Sequence, residues 1–443
     1  MHATLNRVYK VIWCKVRLAW VAVSEVASGC GKVQSSTRRN NREVADAAPA
    51  QATGLQALLQ AASSQLVPLR QRVQHALAQT PSTQDCWGMA FTALALATGG
   101  AMAAPPVPAP TQLPTQGQVA AGLASIVQNA NTLTVNQASN RAIINWSSFN
   151  VGSQATVNFV QPSPSSVALN RVLQADPSQI YGQINANGQV YLVNPAGVYF
   201  APGASVNVGG IVATTHQMAD ADFLAGKTSF ERNGAAGSVV NEGSIQSSLG
   251  GYIAMLAPEV RNSGVLVAQS GTVALAAGER ITLNFAAANG SQSKLDSLTV
   301  TAAQMDTLVE NRQAVRAPNG LIILSAQAAS QLSASVVNSG TLDARGVSQV
   351  GGRIVLDAGT ATGSGASVIH SGRISVDSDS AQGGQVTVTG DTIRLASGSS
   401  ISASGATGGG AVLVGGDWQG SGNLRQATTV NLEHFVCIDI TTT

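Results

Sequence analysis

Gly251-Tyr-Ile-Ala-Met255 returns as Gly271-Thr-Val-Ala-Leu275, then as Gly320-Leu-Ile-Ile-Leu324, Gly352-Arg-Ile-Val-Leu356, Gly384-Gln-Val-Thr-Val388 and Gly410-Ala-Val-Leu-Val414. A second element runs between these copies: Asn241-Glu-Gly243, Asn262-Ser-Gly264, Asn338-Ser-Gly340 and His370-Ser-Gly372. The period is near 20 residues in the early copies and near 30 in the later ones, so the unit is a strand, a turn, another strand and a turn. Such a unit, punctuated by Gly and Asn that tolerate positive φ, cannot bury its apolar face alone. Stacked along one axis, the units bury a continuous column of Ile, Val, Leu and Ala, with Ser, Thr, Gln and Arg facing water. A parallel β-helix of roughly 12 to 14 coils, about 60 Å long at about 4.8 Å per coil, is therefore expected. A β-sandwich or barrel fits the variable period and the single repeated strand motif less well.

Composition agrees with an all-β chain. Of 443 residues, 10% are charged and 4% aromatic, Gly fills 46 positions, and 44% are hydrophobic. That is apolar enough to offset chain entropy, which argues against disorder. The net charge of +2 averages two unlike parts: residues 1–86 hold 10 of the 24 basic and 4 of the 22 acidic side chains. The remainder is mildly acidic, without the basic excess of a nucleic-acid binder. Cys14, Cys30 and Cys86 lie in the first part and only Cys437 beyond it, so the body has no internal disulfide.

Residues 87–103 form an apolar core ending in Ala101-Met-Ala103-Ala104, the pattern of a secretory signal with cleavage near Ala103. Gly99, Gly100 and Pro105 leave too short a run to span a membrane as a helix. Upstream, residues 1–32 hold a basic, aromatic-containing stretch (Asn6 to Trp13 and Ala19 to Glu25) that reads as an amphipathic surface helix, and 33–86 form a polar spacer. Residues 104–240 are less periodic, contain Trp146, Phe149, Phe159 and Tyr181, and are expected to cap the stack. Repeats fill 241–425, and 426–443 look irregular, as at a truncated or frame-shifted end.

Two sets of residues resemble known families. The blocks at 6–13 and 19–25 resemble the extended signal peptide region of very large exported Gram-negative surface proteins. From about 114 to 215, the series Asn131-Thr-Leu-Thr-Val-Asn-Gln137, Ala142-Ile-Ile-Asn-Trp-Ser-Ser-Phe-Asn-Val151, Asp176-Pro-Ser-Gln-Ile-Tyr-Gly182 and Val190-Tyr-Leu-Val-Asn-Pro-Ala-Gly-Val-Tyr-Phe200 resembles the secretion domain of two-partner-secretion exoproteins, the filamentous haemagglutinin and high-molecular-weight adhesin family.

The resemblance implies a right-handed β-helix with an N-terminal β cap behind a helical or disordered extended signal peptide. It also implies Sec export and recognition in the periplasm by a dedicated outer-membrane transporter (TpsB, Omp85-type). The end point is a surface adhesin or haemagglutinin that meets a host-cell glycan or protein. The family's Asn-Pro-Asn-Gly-Ile secretion motif maps onto Asn194, Pro195, Ala196, Gly197 and Val198, with Ala196 departing; physically the block is a tight turn. It serves either partner recognition or merely the shape of a coil corner. The alternative to an adhesin is the delivery part of a contact-dependent growth inhibition toxin, and a polysaccharide-active β-helix enzyme is more distant.

Chemistry is sparse. Asp343, Asp357, Asp377, Asp379 and Asp391 are scattered, unlike the clustered carboxylates of β-helix lyases and hydrolases. His2, His75, His216, His370 and His434 lack metal-ligand spacing. Gly226-Lys-Thr228 imitates a P-loop end, but Ala221 stands where the upstream glycine is needed. No enzyme activity and no cofactor are expected. Asn145-Trp-Ser147 and Asn289-Gly-Ser291 are glycosylation sequons, the first expected within a cap strand.

Overall fold

The computed structural model describes two leader strands at 9–14 and 19–24 and then residues 106–286, 294–346, 351–359, 365–417 and 420–442. The signal core with Ala101, Ala103 and Ala104, the spacer, Cys30, Cys86 and Asn289 lie outside the described residues. Tyr9–Cys14 pairs antiparallel with Ala19–Ser24. This corrects the helix expected there: Tyr9, Val11, Ile12, Trp13, Trp20, Val21 and Val23 are β-branched or aromatic, types that favour a pleated surface over a helix.

The body is built from three sheets that share one winding chain. Each coil contributes a strand to a twelve-stranded, an eleven-stranded and a nine-stranded sheet, here the first, second and third. One coil, for example, is Ser244–Ser247, Tyr252–Leu256 and Glu259–Asn262; the next begins at Val265–Val267 and Thr272–Ala277. The unit thus has three strands rather than two, because first-sheet strands such as Val265–Val267 are too short to stand out in the sequence. The second sheet has eleven strands including its antiparallel edge, fewer than the coils expected. The coil between Thr272 and Leu321 explains part of the deficit, since it spends residues on two extra strands, Arg280–Phe285 and Leu295–Val300.

Register places like on like. Val190, Ile211, Ile253, Val273, Ile322, Ile354 and Val386 form one inward column of the second sheet. Val198, Val239, Val260, Val309, Val336, Val368 and Ile393 form another in the third. All fourteen are at most 1% exposed. Burying each such side chain is worth about 1.5–3 kcal/mol, and only stacking achieves it. The fading of the pattern after 425 is one of glycine spacing alone, because Thr429–Leu432 and Cys437–Asp439 still pair in register with Thr392–Leu395 and Ser400–Ser402.

The outward face of the second sheet departs from the expected polar exterior. Tyr252–Leu256 and Thr272–Ala277 are buried on both sides, whereas Arg353–Ala358 alternates. A five-residue helix, Asp220–Leu224, and an antiparallel sheet of Ser229–Glu231, Arg280–Phe285 and Leu295–Val300 cover this face. Phe223 and Phe230 sit against Tyr191, and the Tyr252 hydroxyl donates to Gln189 Oε1 (2.7 Å) and lies within hydrogen-bond distance of Tyr191 Oη (3.1 Å). Strands buried on both faces read as unbroken apolar runs, and these do.

The repeated Asn residues do not form positive-φ turns. Asn241, Asn262, Asn311 and Asn338 are fully buried at the start of the corner leading from the third sheet to the first, and the amides of the first three each donate to the next rung's Oδ1 at 2.8 Å. His370 ends the ladder: Nδ1 faces the Asn338 amide nitrogen at 3.0 Å and Nε2 faces the Ser400 carbonyl at 3.3 Å. Since an amide nitrogen can only donate, His370 is neutral with its proton on Nε2.

Burial pushes the His370 pKa below its usual 6.5, as it does that of His216. The unfolded chain then binds protons that the folded chain refuses, so this contribution to stability is whole above about pH 6.5 and is lost as pH falls through the range below. Denaturant midpoints of His370→Asn, which continues the ladder, are expected to fall less steeply than wild type between about pH 6.5 and 5. Equal slopes would remove His370 from the account.

Candidate functional site

The Asn194–Val198 block lies at the corner between the second-sheet strand Gln189–Val193 and the third-sheet strand Val198–Phe200. The Gly197 amide donates to the Asn194 carbonyl (3.0 Å), closing a four-residue turn with Pro195 in the second position, where its fixed φ is favourable. Asn194 Oδ1 accepts from the Ala196 amide (3.0 Å), while Nδ2 donates to the Asp176 carbonyl (2.9 Å) and Ser178 Oγ (3.0 Å). Its own amide donates to the Thr214 carbonyl of the next coil (2.9 Å). Asn194 is 0% exposed and Val198 1%, so neither side chain presents itself to a partner of the folded domain. Pro195 and Ala196 are half-buried at the corner.

Gly197 is required by its φ of 129° and by Ser238, whose carbonyl oxygen would stand 3.0 Å from a Cβ there. Gly237 closes the other side: a Cβ on it would lie 2.5 Å from the Ala196 carbonyl carbon. The turn is thus locked between neighbouring coils. Asn194→Ala removes the bonds to Asp176, Ser178 and Ala196 and is expected to cost about 2–3 kcal/mol in denaturant unfolding. A change below about 0.5 kcal/mol would contradict the corner's role.

The other candidate groups have local partners. Arg345 holds Asp343 through two bonds of 2.9 Å, and Thr389 and Gln327 donate to Asp357 at 2.6 Å each. Asp377 accepts from Ser375 and Ser404, and Asp391 pairs with Arg425 at 2.6 Å. Asp379 is exposed. Lys227 of the P-loop imitation pairs with Asp222, and Thr228 donates to the Leu283 carbonyl. His216 Nε2 contacts the Gly278 carbonyl at 2.8 Å. Asn145 lies on the strand Arg141–Trp146, with a buried Oδ1. Among the described residues, no three His, Cys, Asp or Glu converge as metal ligands.

No single residue of the cap edge stands out in the sequence. Gln118–Ala121 runs antiparallel along the second sheet and Ala124–Asn129 along the first. Gly122, at φ 77°, makes the bend between them, where a Cβ would meet the Arg141 carbonyl oxygen at 2.2 Å. The available signal was a stretch with apolar residues and no charge, Gln118 to Asn129.

Residues 108–376 match the TPS secretion domain family, and residues 6–55 match the Extended Signal Peptide of Type V secretion system. A heme/hemopexin-binding protein of Haemophilus influenzae strain Rd is 31% identical over 205 residues, 45% of this chain and 23% of that protein. A second H. influenzae heme/hemopexin-binding protein is 40% identical over 114 residues, 26% of this chain and 12% of that one. The matches thus span less than a quarter of either relative's length. The crystal structure of the HMW1 secretion domain from H. influenzae superposes with a TM-score of 0.66 at 29% identity, over 74% of this chain and 84% of that one.

Proposed function

The chain belongs to the TPS secretion domain family, and from that premise we propose that it is the exported half of a two-partner system, delivered to the Gram-negative cell surface by its own outer-membrane transporter of the TpsB (Omp85) type. The observation that carries the reading is the family match over 108–376, which runs through the capped coil stack and stands behind an extended signal peptide at 6–55. The Sec translocase takes the chain across the inner membrane, and the signal is removed near Ala101, Ala103 and Ala104. At the surface the chain acts as an adhesin toward a host glycan or protein, without an enzymatic step of its own.

The chemistry of the chain supports this route. Beyond residue 86 its only cysteine is Cys437, so the body cannot form an internal disulfide that would obstruct threading. Each coil added outside buries another set of aliphatic side chains, which favours outward movement. The Asn194 corner contributes by fixing the coil rather than by offering its side chain. The test is export of the full chain from cells that carry or lack the cognate transporter. Protein is expected in the medium or on the surface only with the transporter, and in the periplasm without it. Equal surface delivery in both strains would overturn the proposal.

A further inference from the structure

Five successive rungs of the first sheet, from Thr132–Gln137 to Ser244–Ser247, stack in register. Leu133, Val157, Ile184, Val206 and Ile245 form their inward column, each at most 2% exposed. Strand alternation turns the residues on either side of that column outward. One outward column is Thr134, Asn158, Asn185, Asn207 and Gln246; the other reads Thr, Thr, Gln, Ser and Ser from Thr132 to Ser244. All of these side chains are neutral, carry a hydroxyl or an amide, and are half-buried or exposed. Asn185 Nδ2 donates to Asn158 Oδ1 at 3.1 Å, so neighbouring amides hold each other in position.

This chemistry is local to these rungs. Farther along the same sheet the outward columns hold Val267, Arg316, Asp343 and Arg373. The outer face of the third sheet carries ion pairs, Arg261 with Glu310 and Arg394 with Glu433. Asparagine is depleted in strands, yet it holds three consecutive rungs at Asn158, Asn185 and Asn207. A local preference broken three times in one place marks a functional surface more than a scaffold need.

The lattice offers no cation to an anionic chain, and no aromatic or arginine anchor of the kind that dominates protein interfaces. Two copies set face to face would exchange bonds to water for equivalent bonds and bury little apolar surface, which leaves little to drive pairing. What it does offer is donors and acceptors together, repeated every coil at about 4.8 Å. Beside them stand the methyl groups of Thr132, Thr134 and Thr156 and the 53% exposed Val160. An extended β-linked glycan advances by nearly the same step per ring, with hydroxyls on the ring edge and C–H groups on the ring face. We infer that this lattice binds a neutral, extended polysaccharide laid along the stack, one sugar ring per coil. The inference rests on the adhesin reading above and names its ligand class and its face. Each ring gains little, so affinity accumulates with length until all five rungs are filled.

The test uses the full chain immobilised for surface plasmon resonance, with β-1,4-linked glucose and N-acetylglucosamine oligomers of two to seven rings as probes. For at least one of the two series, affinity is expected to rise with each ring up to five and then to level off. Asn207→Val together with Gln246→Val removes the amides of the last two rungs; both side chains face water, and valine suits a strand. Circular dichroism and unfolding midpoints establish that the variant folds. Its plateau is expected to move from five rings to three, and the longest probe to bind at least tenfold more weakly. Thr341→Val, on a later rung of the same sheet, should behave as wild type. Absence of binding to both series would overturn the inference, as would an unchanged plateau or equal losses in the control. So would a wild-type dimer that the double variant dissolves with no sugar bound. Length-dependent sugar binding by a chain whose cells fail to adhere to glycan-bearing host cells would instead overturn the adhesin reading alone.

Discussion

Asn311→Leu is expected to lower the unfolding free energy by about 3–5 kcal/mol, although leucine keeps asparagine's number of side-chain heavy atoms and its branch at Cγ. Asn311 is fully buried at the middle of the amide ladder. It accepts from Asn262 Nδ2 and donates to Asn338 Oδ1, both at 2.8 Å, and to the Gln313 carbonyl at 2.9 Å. Leucine removes all three bonds and leaves groups on two neighbouring rungs without their partner, each deficit costing about 1–3 kcal/mol. Asn241→Leu, at the ladder's N-terminal end, breaks the bond to one rung only, Asn262, its other two being longer bonds (3.2 and 3.3 Å) to the Gly243 amide and carbonyl, and is expected to cost less. Guanidinium titration of both variants checks the ordering; equal losses would mean that the column is not a coupled network.

Gly384→Ala is expected to cost about 3 kcal/mol or more by overpacking, for the addition of one methyl group. A Cβ at Gly384 would lie 2.0 Å from the Gly352 carbonyl oxygen, and the same contact recurs up the corner: 2.3 Å from Gly352 to Gly320 and 2.2 Å from Gly320 to Gly271. The obstacle is backbone on every rung, so no side chain can swing aside. Gly398→Ala is the comparison. Its φ of 79° strains alanine, but nothing lies within 4 Å of its Cβ, so the loss should stay near about 1 kcal/mol. Comparable losses at the two sites would show that conformation, not coil spacing, selects the glycines.

The glycine column was legible because coil spacing forces it at one corner in every turn, so it repeats. The ladder was half legible. Asn241, Asn262, Asn338 and His370 stood out as a repeated element, yet asparagine beside glycine suggests a turn, and only stacking reveals a buried chain of amides. Asn311 escaped because Gln313 stands where the other copies have glycine. First-sheet strands such as Val265–Val267 and Thr341–Asp343 were hidden by their length of three residues. The covering layer over Tyr191 and Tyr252 could have been anticipated from the unbroken apolar runs beneath it. The turn at Asn194 was readable from Asn, Pro and Gly; that the Asn194 side chain is consumed inside the corner depends on Asp176 and Ser178, one coil earlier.

The central claim is that one parallel coil stack carries the whole body, and the ladder of the first sheet offers the most direct measurement. Asn158 and Val267 are four rungs apart through Asn185, Asn207 and Gln246, and Val267 and Ser402 are four rungs apart through Arg316, Asp343 and Ser375. The second interval contains the extra strands Arg280–Phe285 and Leu295–Val300; the first does not. Spin labels on cysteines introduced at each pair, in a chain whose native cysteines are replaced by serine, should give two matching distances near about 19 Å between backbones, since each rung adds about 4.8 Å whatever its length in sequence. Distances that differ by more than one rung, or that grow with sequence separation, would contradict the stack.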